Sequence, residues 1–249
     1  MASEIFLLLP PSEGKVEGGT KGKASGMFSK ALQRPRGTMR QALANELRGV
    51  STSRAETLFK VRGELLERAL AATKSYVAGS ALLLPAYQRY SGVVWSHLEA
   101  ETLAPFTRDR ILIPSGLYGV TTSSDGIADY RLTMNVSVTS IGKVAAFWKP
   151  MVTEVLTQKT SGALLFDLLP NEHRAAIDGG RLAQHCELVT VNFVSHDGKK
   201  AAGHAAKAAK GMFARRILDE GTDAVQSFRW GGWSARQKGS TILVKAPKP

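Results

Sequence analysis

Two short apolar runs that end at proline constrain the fold of this chain more than any other feature of its sequence. Residues 5–9 (IFLLL) contain no polar side chain and are followed by Pro10-Pro11, and residues 110–114 (RILIP) have the same character. A continuous apolar run of this length is typical of a strand that is buried on both faces of a sheet. The sequence therefore predicts two buried strands, each of which leaves the sheet into a loop.

Helical and strand patterns alternate along the rest of the chain. Between residues 38 and 78, leucines and valines recur at three- and four-residue spacing, which predicts two or more amphipathic helices. Later segments are predicted as a helix at 144–158, strands at 163–168 and 187–194, a helix at 201–219 and a strand at 240–245. This alternation indicates the α/β class. We expect a single compact domain, residues 1–249, with a central mixed sheet flanked by helices.

Three further features concern the surroundings of the protein. Residues 16–37 are rich in Gly, Lys and Ser, which predicts a long mobile loop after the first strand. No window of 18 uncharged apolar residues occurs, and the first residues lack the cationic start of a signal peptide, so no membrane partner is expected. A lone cysteine, Cys186, is compatible with a reducing compartment. Together these features predict a cytoplasmic protein.

Positive charge is the unusual part of the composition. The chain has 33 Lys and Arg against 21 Asp and Glu, a formal net charge of +12. The excess is concentrated in two segments: residues 15–40 hold seven basic side chains and one acidic, and residues 199–249 hold 11 basic and three acidic. Such charge favours polyanionic partners such as nucleic acid, although a soluble protein can also be basic without one.

The predicted helix at 201–219 carries much of this charge. At about 100° per residue, Lys207 and Lys210 share a face with Gly211, and Arg215 lies at its edge. Small neighbours would let a phosphate backbone approach closely. The alternative is a solvated helix face without a partner.

Residues 47–58 resemble the helix-hairpin-helix element of DNA repair proteins, within a region of about residues 40–70. In that element a glycine-containing hairpin directs backbone N–H groups at a phosphate. Gly49 occupies the hairpin and Arg54 follows it, but Ser51 replaces the usual second glycine. The alternative is a plain helical turn in which Ser51 or Thr52 caps the second helix.

The strand predicted at 110–114 runs directly into a loop bracketed by glycines. Ser115, Gly116, Tyr118 and Gly119 form this candidate pocket loop, which could place backbone amides at the carboxyl edge of the sheet. Its spacing matches neither common nucleotide-binding glycine motif, so the glycines could equally serve a tight turn.

Charged residues also follow the predicted strands. Arg131 could bind phosphate or carboxylate through its planar fork, with Asp125 fixing its orientation, although a buried Asp–Arg pair is an alternative. Because Glu13, Lys15 and Glu172 also lie at or after strand ends, all five could converge on one pocket. The five histidines lack metal-ligand spacing, so we expect no metal site and no cofactor.

Several short motifs occur in order along nearly the whole chain. They are LLLPPSEGK at residues 7–15, Tyr90 and Gly92, SGLYGV from Ser115, Asp125 with Tyr130, Arg131, Leu132 and Met134, Phe147-Trp148, Lys207, Lys210-Gly211 and Arg215, Phe228 with Gly232, and a terminal ILVK. In these motifs the chain resembles the YaaA family of bacterial peroxide stress proteins. The resemblance implies an α/β fold with a helix-hairpin-helix-like insertion, a positively charged cleft, DNA binding and a role in limiting oxidative damage by iron. The chain departs from the family at Asn171-Glu172-His173, where a tyrosine is common at the third position.

These observations leave two functions open. The first is a DNA-binding protein of the peroxide-stress response, with DNA contacts from Lys15, Gly49, Arg54, Arg131, Lys207, Lys210 and Arg215. Trp230 and Trp233 could then stack on exposed bases. The alternative is an enzyme acting on a small nucleotide-like or phosphorylated substrate, a small anionic ligand held by the pocket loop and Arg131. Asp125 or Glu172 would then be the general acid or base. The oligomeric state stays open.

Overall fold

Strands and helices alternate throughout the computed structural model, which describes residues 4–22 and 25–248. The strands are β1 (Ile5–Leu8), β2 (Leu83–Pro85), β3 (Ile111–Ser115), β4 (Gly119–Thr122), β5 (Gly126–Ala128), β6 (Ser137–Val138), β7 (Gly142–Lys143), β8 (Leu164–Asp167), β9 (Glu187–Val194), β10 (Arg229–Trp230), β11 (Trp233–Lys238) and β12 (Thr241–Lys245). The helices are α1 (Gln33–Glu46), α2 (Thr52–Phe59), α3 (Gly63–Ala78), α4 (Ala86–Arg89), α5 (Val93–Leu98), α6 (Pro105–Arg108), α7 (Val144–Lys159), α8 (Asn171–Arg174), α9 (Gly179–Leu182), α10 (Gly203–Glu220) and α11 (Asp223–Ser227). The α/β class predicted from the sequence is confirmed.

The two proline-ended apolar runs form neighbouring parallel strands inside one mixed sheet. This eight-stranded sheet has the order β10-β11-β12-β9-β8-β1-β3-β4. Its five inner strands, from β12 to β3, are all parallel, while β4 and the β10–β11 pair are antiparallel additions at the edges. Leu7 of β1 lies between Ile111 and Phe166 and is fully buried. This burial on both faces explains the uninterrupted apolar character of β1.

The order of the strands reverses beside β1. The chain passes from β1 to β3 on one side, and later segments place β8, β9 and β12 successively on the other side. In open α/β sheets, ligands bind outside the carboxyl ends of the strands at such a reversal, because the two following loops diverge and leave a crevice. The fold therefore predicts a ligand site between the loops that follow β1 and β8.

Helices α5 and α10 pack closely against each other near this edge. Gly211 of α10 lies so near α5 that an added Cβ atom would come 2.3 Å from the carbonyl oxygen of Val94. Ala206, Ala209 and Ala214 of α10 are buried as well. The face of α10 that carries Gly211 therefore packs against α5. The expectation that Gly211 would let a phosphate backbone approach is wrong.

The prediction of two or more helices between residues 38 and 78 is confirmed, whereas the loop predicted after the first strand changes. The region 38–78 contains three helices, and α1 begins at Gln33, so the predicted loop is shorter than residues 16–37. Its described first part is anchored, because the guanidinium of Arg89 donates hydrogen bonds to the carbonyl oxygens of Val16 and Gly18. Arg89 is completely buried and holds this segment against the domain.

Within the described ranges, no helix combines the length and the apolar character needed to cross a membrane.

Candidate functional site: a cleft at the strand ends

A cleft of about 790 Å³ opens where the strand order reverses. We call it the strand-end cleft. Its walls come from the loop after β1 (residues 10–15), the loop and helix after β8 (residues 169–174), residues 130–133, the start of α5 and the first half of α10. Its volume falls in the range of about 300–1,000 Å³ that is usual for sites that bind one small molecule.

Four of the seven predicted DNA contacts lie in this cleft, together with two of the three predicted carboxylates. The lining contains Lys15, Arg131, Lys207, Lys210, Glu13 and Glu172, and it also includes Lys200. These side chains come from four separate segments of sequence. Convergence was expected from the sequence for Glu13, Lys15, Arg131, Glu172 and Asp125, and the first four of these line the cleft, whereas Asp125 does not.

Lys15 is a buried amine at the wall of the cleft. Its side-chain nitrogen donates a hydrogen bond to the carbonyl oxygen of Ser12 at 2.6 Å and lies 4.2 Å from the ring centre of Tyr130 and 5.4 Å from that of Tyr90. The residue is 8% exposed. Burial, and to a lesser degree the positive charges of Arg131 and Arg68, lowers the pKa of Lys15 to about 7, although nearby carboxylates oppose the shift. The amine is therefore partly uncharged at neutral pH.

Arg131 is oriented by Glu13 and not by Asp125. A guanidinium nitrogen of Arg131 lies 3.0 Å from a carboxylate oxygen of Glu13, and the Glu13 side chain is 74% exposed. An exposed ion pair of this kind contributes little to stability and is easily exchanged for another anion. Arg131 is thus available to a ligand that displaces Glu13.

A chain of buried hydroxyl groups supports the wall beneath Lys15. The hydroxyl oxygens of Tyr90 and Tyr130 are 2.8 Å apart, and the hydroxyl of Ser115 donates to that of Tyr130 at 2.8 Å. Burial raises the pKa of both tyrosines above its ordinary value, so they stay neutral. Sequence reasoning noted both tyrosines only as parts of motifs, since nothing in their spacing shows that they enclose a lysine.

The predicted pocket loop lies behind this wall and does not line the cleft. Ser115, Gly116, Tyr118 and Gly119 are all buried. An added Cβ at Gly116 would meet the carbonyl oxygen of Leu132 at 2.3 Å, and one at Gly119 would meet the ring of Trp148 at 2.7 Å. The glycines therefore allow close packing, and Gly119, at a φ of +76°, also serves the tight turn between β3 and β4 that was the alternative interpretation of this loop.

Lys210 is half-buried and places a second amine on the opposite side of the reversal. Its side-chain nitrogen donates to the carbonyl oxygen of Leu168 at the end of β8 and lies 5.2 Å from the ring centre of Phe193. Burial lowers the pKa of Lys210 to about 8, against the opposing charge of Asp167. Among the residues that the structure describes, neither Lys15 nor Lys210 has a carboxylate within 4.0 Å.

Lys200 and Lys207 are exposed and extend the positive wall at the mouth of the cleft. Neither forms an ion pair with any described residue, whereas the neighbouring Lys199 pairs with Asp197 at 3.2 Å. Their location beside Lys210 agrees with the helical spacing read from the sequence.

Glu172 and His173 form a polar pair on the wall that follows β8. The Nε2 atom of His173 lies 3.3 Å from Glu172, and Asn135 donates a hydrogen bond to the other carboxylate oxygen at 3.1 Å. The hydrogen bond with His173, followed by the charges of Lys60 and Lys200, holds the pKa of Glu172 below its usual value. The buried Nδ1 atom of His173 has no hydrogen-bond partner among the residues that the structure describes.

Three predicted DNA contacts lie outside the strand-end cleft. Arg215 forms an ion pair with Asp219 at 2.7 Å and donates to Thr102. Arg54 lies 2.6 Å from Glu46 and is likewise satisfied within the fold. Gly49 is exposed in the turn between α1 and α2, at a φ of +64° that favours glycine.

The helix after that turn is capped by its own sequence. The hydroxyl oxygen of Ser51 accepts a hydrogen bond from the backbone N–H of Arg54, as in the alternative interpretation of this segment. Two helices and a glycine turn are therefore present at residues 33–59, and their contact with phosphate stays a prediction.

Asp125 is a structural carboxylate outside the cleft. It accepts hydrogen bonds from the backbone N–H groups of Met27 and Thr122 and from the Thr122 hydroxyl, and it is 7% exposed. Burial raises its pKa, and these hydrogen bonds partly oppose that shift. Its place in the fold separates it from Arg131 and Glu172.

The two predicted stacking residues differ in exposure. Trp233 is 5% exposed and packs against Phe193, so it is a core residue. Trp230 is half-buried, with its ring 5.7 Å from that of His97.

Within the described part of the chain, no group of three or more His, Cys, Asp or Glu side chains is arranged to hold a metal ion.

Comparison with known proteins places these features in a family. A family model described as "Peroxide stress protein YaaA" matches residues 5–238. A UPF0246 protein of Streptomyces coelicolor is 30% identical over 231 residues, covering 88% of this chain and 84% of its own length. Another from Corynebacterium efficiens is 30% identical over 224 residues, with 88% and 87% covered. A UPF0246 protein of Phocaeicola vulgatus is 25% identical over 197 residues, with 74% and 77% covered.

Proposed function

The chain belongs to the peroxide stress protein YaaA family, and from this membership we propose that it is a cytoplasmic DNA-binding protein of the peroxide-stress response. In this proposal, the strand-end cleft holds the phosphate backbone. Lys207, Lys210, Lys15 and Arg131 supply the contacts.

The observation that carries the proposal is the convergence of unpaired cations in one cleft. Lys15, Lys200, Lys207 and Lys210 line it without a carboxylate partner among the described residues. Such amines gain the most from a bound phosphate, because no internal partner must first be displaced. By contrast, Arg54 and Arg215 already have partners, and they contribute less in this proposal.

The size of the cleft favours a nucleotide-sized part of a strand over a whole duplex. Its volume of about 790 Å³ matches single ligand molecules. A single strand, or one nucleotide turned out of a duplex, fits such a site, while the remaining duplex would lie across its mouth. We therefore expect stronger binding to strands with unpaired nucleotides than to a fully paired duplex.

Fluorescence anisotropy with labelled single-stranded, bubble-containing and fully paired DNA at low salt tests this function. We compare Lys207→Glu in the cleft with Lys74→Glu on α3, because both lysines are exposed on helices and both changes alter the net charge equally. The proposal requires that only Lys207→Glu weakens binding strongly. Absence of binding by the folded wild type, or equal losses in both variants, would refute it.

A second candidate function is favoured by the partly neutral Lys15 and the Glu172–His173 pair. A buried amine with a pKa of about 7 and a hydrogen-bonded acid in one crevice are typical of catalytic sites as well as of binding sites. The candidate is an enzyme acting on a small nucleotide-like or phosphorylated substrate held by Arg131, with Glu172 as acid or base.

Turnover assays with nucleotides and nucleosides, followed by Glu172→Gln, test the enzymatic candidate. Loss of a detected turnover with DNA binding intact would favour it. Asp125→Asn is a comparison variant, since Asp125 lies outside the cleft and its change should reduce stability first. If no compound is turned over, the DNA-binding proposal stands alone.

A further inference from the structure

Lys15 combines features that a pure phosphate contact does not need. Its amine is buried between the rings of Tyr130 and Tyr90, and its one hydrogen bond among the described residues is to the carbonyl oxygen of Ser12. The residue nevertheless lines the open strand-end cleft. A strongly hydrated ammonium at the surface would bind phosphate equally well. An amine enclosed by aromatic rings at the wall of a cleft is instead suited to act as a nucleophile.

Burial outweighs the charges around Lys15, which act in both directions on its pKa. Arg131 and Arg68 are positive neighbours, and Glu13 and Asp129 are negative neighbours. Both carboxylates are already engaged, Glu13 with Arg131 at 3.0 Å and Asp129 with Arg68 at 2.8 Å. Burial beside two guanidinium groups keeps a fraction of the amine uncharged near neutral pH, with a pKa of about 7. Neutral lysines activated by desolvation and a neighbouring cation are the ones that react with carbonyl groups.

We propose that the Lys15 amine forms an imine with the aldehyde of a phosphate-bearing sugar bound in the strand-end cleft. The phosphate part of this proposal rests on the proposed function, because it uses the same cationic walls. Two sources share the required chemistry: the open-chain sugar of an abasic site in a DNA strand, and a free aldose phosphate. The aldehyde would lie beside Lys15, and Lys207 and Lys210 would hold the phosphate.

The reaction needs no oxidant or reductant. The lone pair of the neutral Lys15 nitrogen attacks the aldehyde carbon, a C–N bond forms, and the carbonyl oxygen takes up a proton as the nitrogen loses one. The hydroxyl group of the resulting carbinolamine takes up a proton and leaves as water, while the nitrogen lone pair forms the C=N bond of a protonated imine. Glu13 and Glu172 are the carboxylates of the cleft that can carry the protons. Addition of water reverses each step.

Reductive trapping tests the proposal directly. Purified wild-type protein is incubated with cyanoborohydride and either an oligonucleotide containing one abasic site or ribose 5-phosphate. Cyanoborohydride delivers hydride to the imine carbon and fixes the adduct as a secondary amine. We expect a covalent adduct with at least one source, located on Lys15 by peptide mass spectrometry. An adduct located on Lys210, on the amino terminus or on surface lysines would overturn the assignment, as would no adduct.

Two variants and one binding measurement separate the possible outcomes. Lys15→Arg keeps the positive charge but removes the nucleophile, so we expect at least a tenfold loss of adduct with phosphate binding retained. Lys74→Arg, on an exposed helix face, should leave the adduct unchanged. Because mapping uses the wild type, a variant that fails to fold does not affect the result.

Binding to an intact strand that carries no aldehyde is measured on the same samples. If that strand binds and no adduct forms, the imine proposal fails while the DNA-binding proposal stands. If ribose 5-phosphate is trapped on Lys15 and no strand binds, the DNA-binding proposal fails while imine formation stands.

Discussion

The side-chain nitrogen of Lys15 lies 4.2 Å from the centre of the Tyr130 ring, at the wall of a cleft that the strand order of the sheet creates. The hydroxyl of that ring is fixed by Ser115, at the end of β3. Lys15 itself follows β1. Tyr130 therefore links Lys15, which follows the first buried apolar run, to Ser115, which ends the strand of the second run. The two runs that determine the fold thus also support the candidate site.

Replacing Lys15 with Met should stabilise the protein near neutral pH. The pKa of Lys15 is about 7 in the fold against an ordinary value of 10.5, so the unfolded chain binds more protons between these values. The free energy of unfolding of the wild type should therefore rise with pH across that window. We expect Lys15→Met to be more stable than wild type below pH 7, by on the order of a few kcal/mol.

Urea unfolding of both proteins at several pH values measures this difference. The advantage of Lys15→Met should shrink as the pH rises from about 7 towards 10.5, since the wild-type amine is then neutral in both states. A difference that stays constant with pH would show that Lys15 is not desolvated in the fold.

Removing the Tyr130 hydroxyl should destabilise the wall of the cleft. Tyr130→Phe leaves the hydroxyl groups of Tyr90 and Ser115 without the partner that lies 2.8 Å from each. We expect a loss of about 1–3 kcal/mol in the free energy of unfolding, because both groups are buried. Thermal and urea unfolding measure it, and an unchanged stability would argue against the hydroxyl chain.

The packing of α10 on α5 provides a matched pair of glycine substitutions. Gly211→Ala should destabilise by at least about 1–3 kcal/mol, since its Cβ would come 2.3 Å from the backbone oxygen of Val94. Gly37→Ala in α1 meets nothing within 4 Å and should be neutral or stabilising by up to about 1 kcal/mol. Equal effects of the two changes in thermal melts would contradict the close approach of these helices.

The sequence could predict the parts of this structure that depend on local pattern. Apolar runs at 5–9 and 110–114 located two central strands, and helical spacing placed Lys200, Lys207 and Lys210 on one wall. Positions after the ends of β1 and β8 also brought Glu13, Lys15 and Glu172 together, since these parallel neighbours share one carboxyl edge, whereas Arg131 follows β5 outside the eight-stranded sheet.

The remaining errors concern partners that lie far away in sequence. Arg215 donates to Thr102, 113 residues away, and Asp125 accepts from the backbone of Met27, 98 residues away, and neither reaches the cleft. No helical or strand period contains those pairings. In the same way, α10 carries Gly211 and small neighbouring residues because α5 packs against it. A single sequence cannot distinguish this pattern from a helix face that leaves room for a ligand.

Binding of DNA should weaken as the pH rises from 6 to 9. Lys15 and Lys210 have pKa values of about 7 and about 8, so both lose positive charge in this range. A bound phosphate favours the charged amines and raises their pKa values, and protons are therefore taken up on binding. If each pKa rises by about one unit, the affinity falls about tenfold for each lysine across its titration.

Anisotropy titrations at constant ionic strength measure this dependence. The double variant Lys15→Arg and Lys210→Arg should show a much flatter profile, because arginine stays charged throughout. An affinity of the wild type that is constant from pH 6 to 9 would remove both lysines from the phosphate contacts.

The salt dependence of DNA binding by Lys207→Ala and Arg215→Ala tests the central claim that the strand-end cleft holds the phosphate backbone. Both residues lie on α10, but only Lys207 lines the cleft, and Arg215 is tied to Asp219. We expect Lys207→Ala to reduce the slope of log affinity against log salt by about 0.9 for duplex DNA, or about 0.7 for a single strand. Arg215→Ala should leave that slope unchanged. A slope reduced only by Arg215→Ala, or reduced by neither change in folded protein, would contradict the assignment of the cleft.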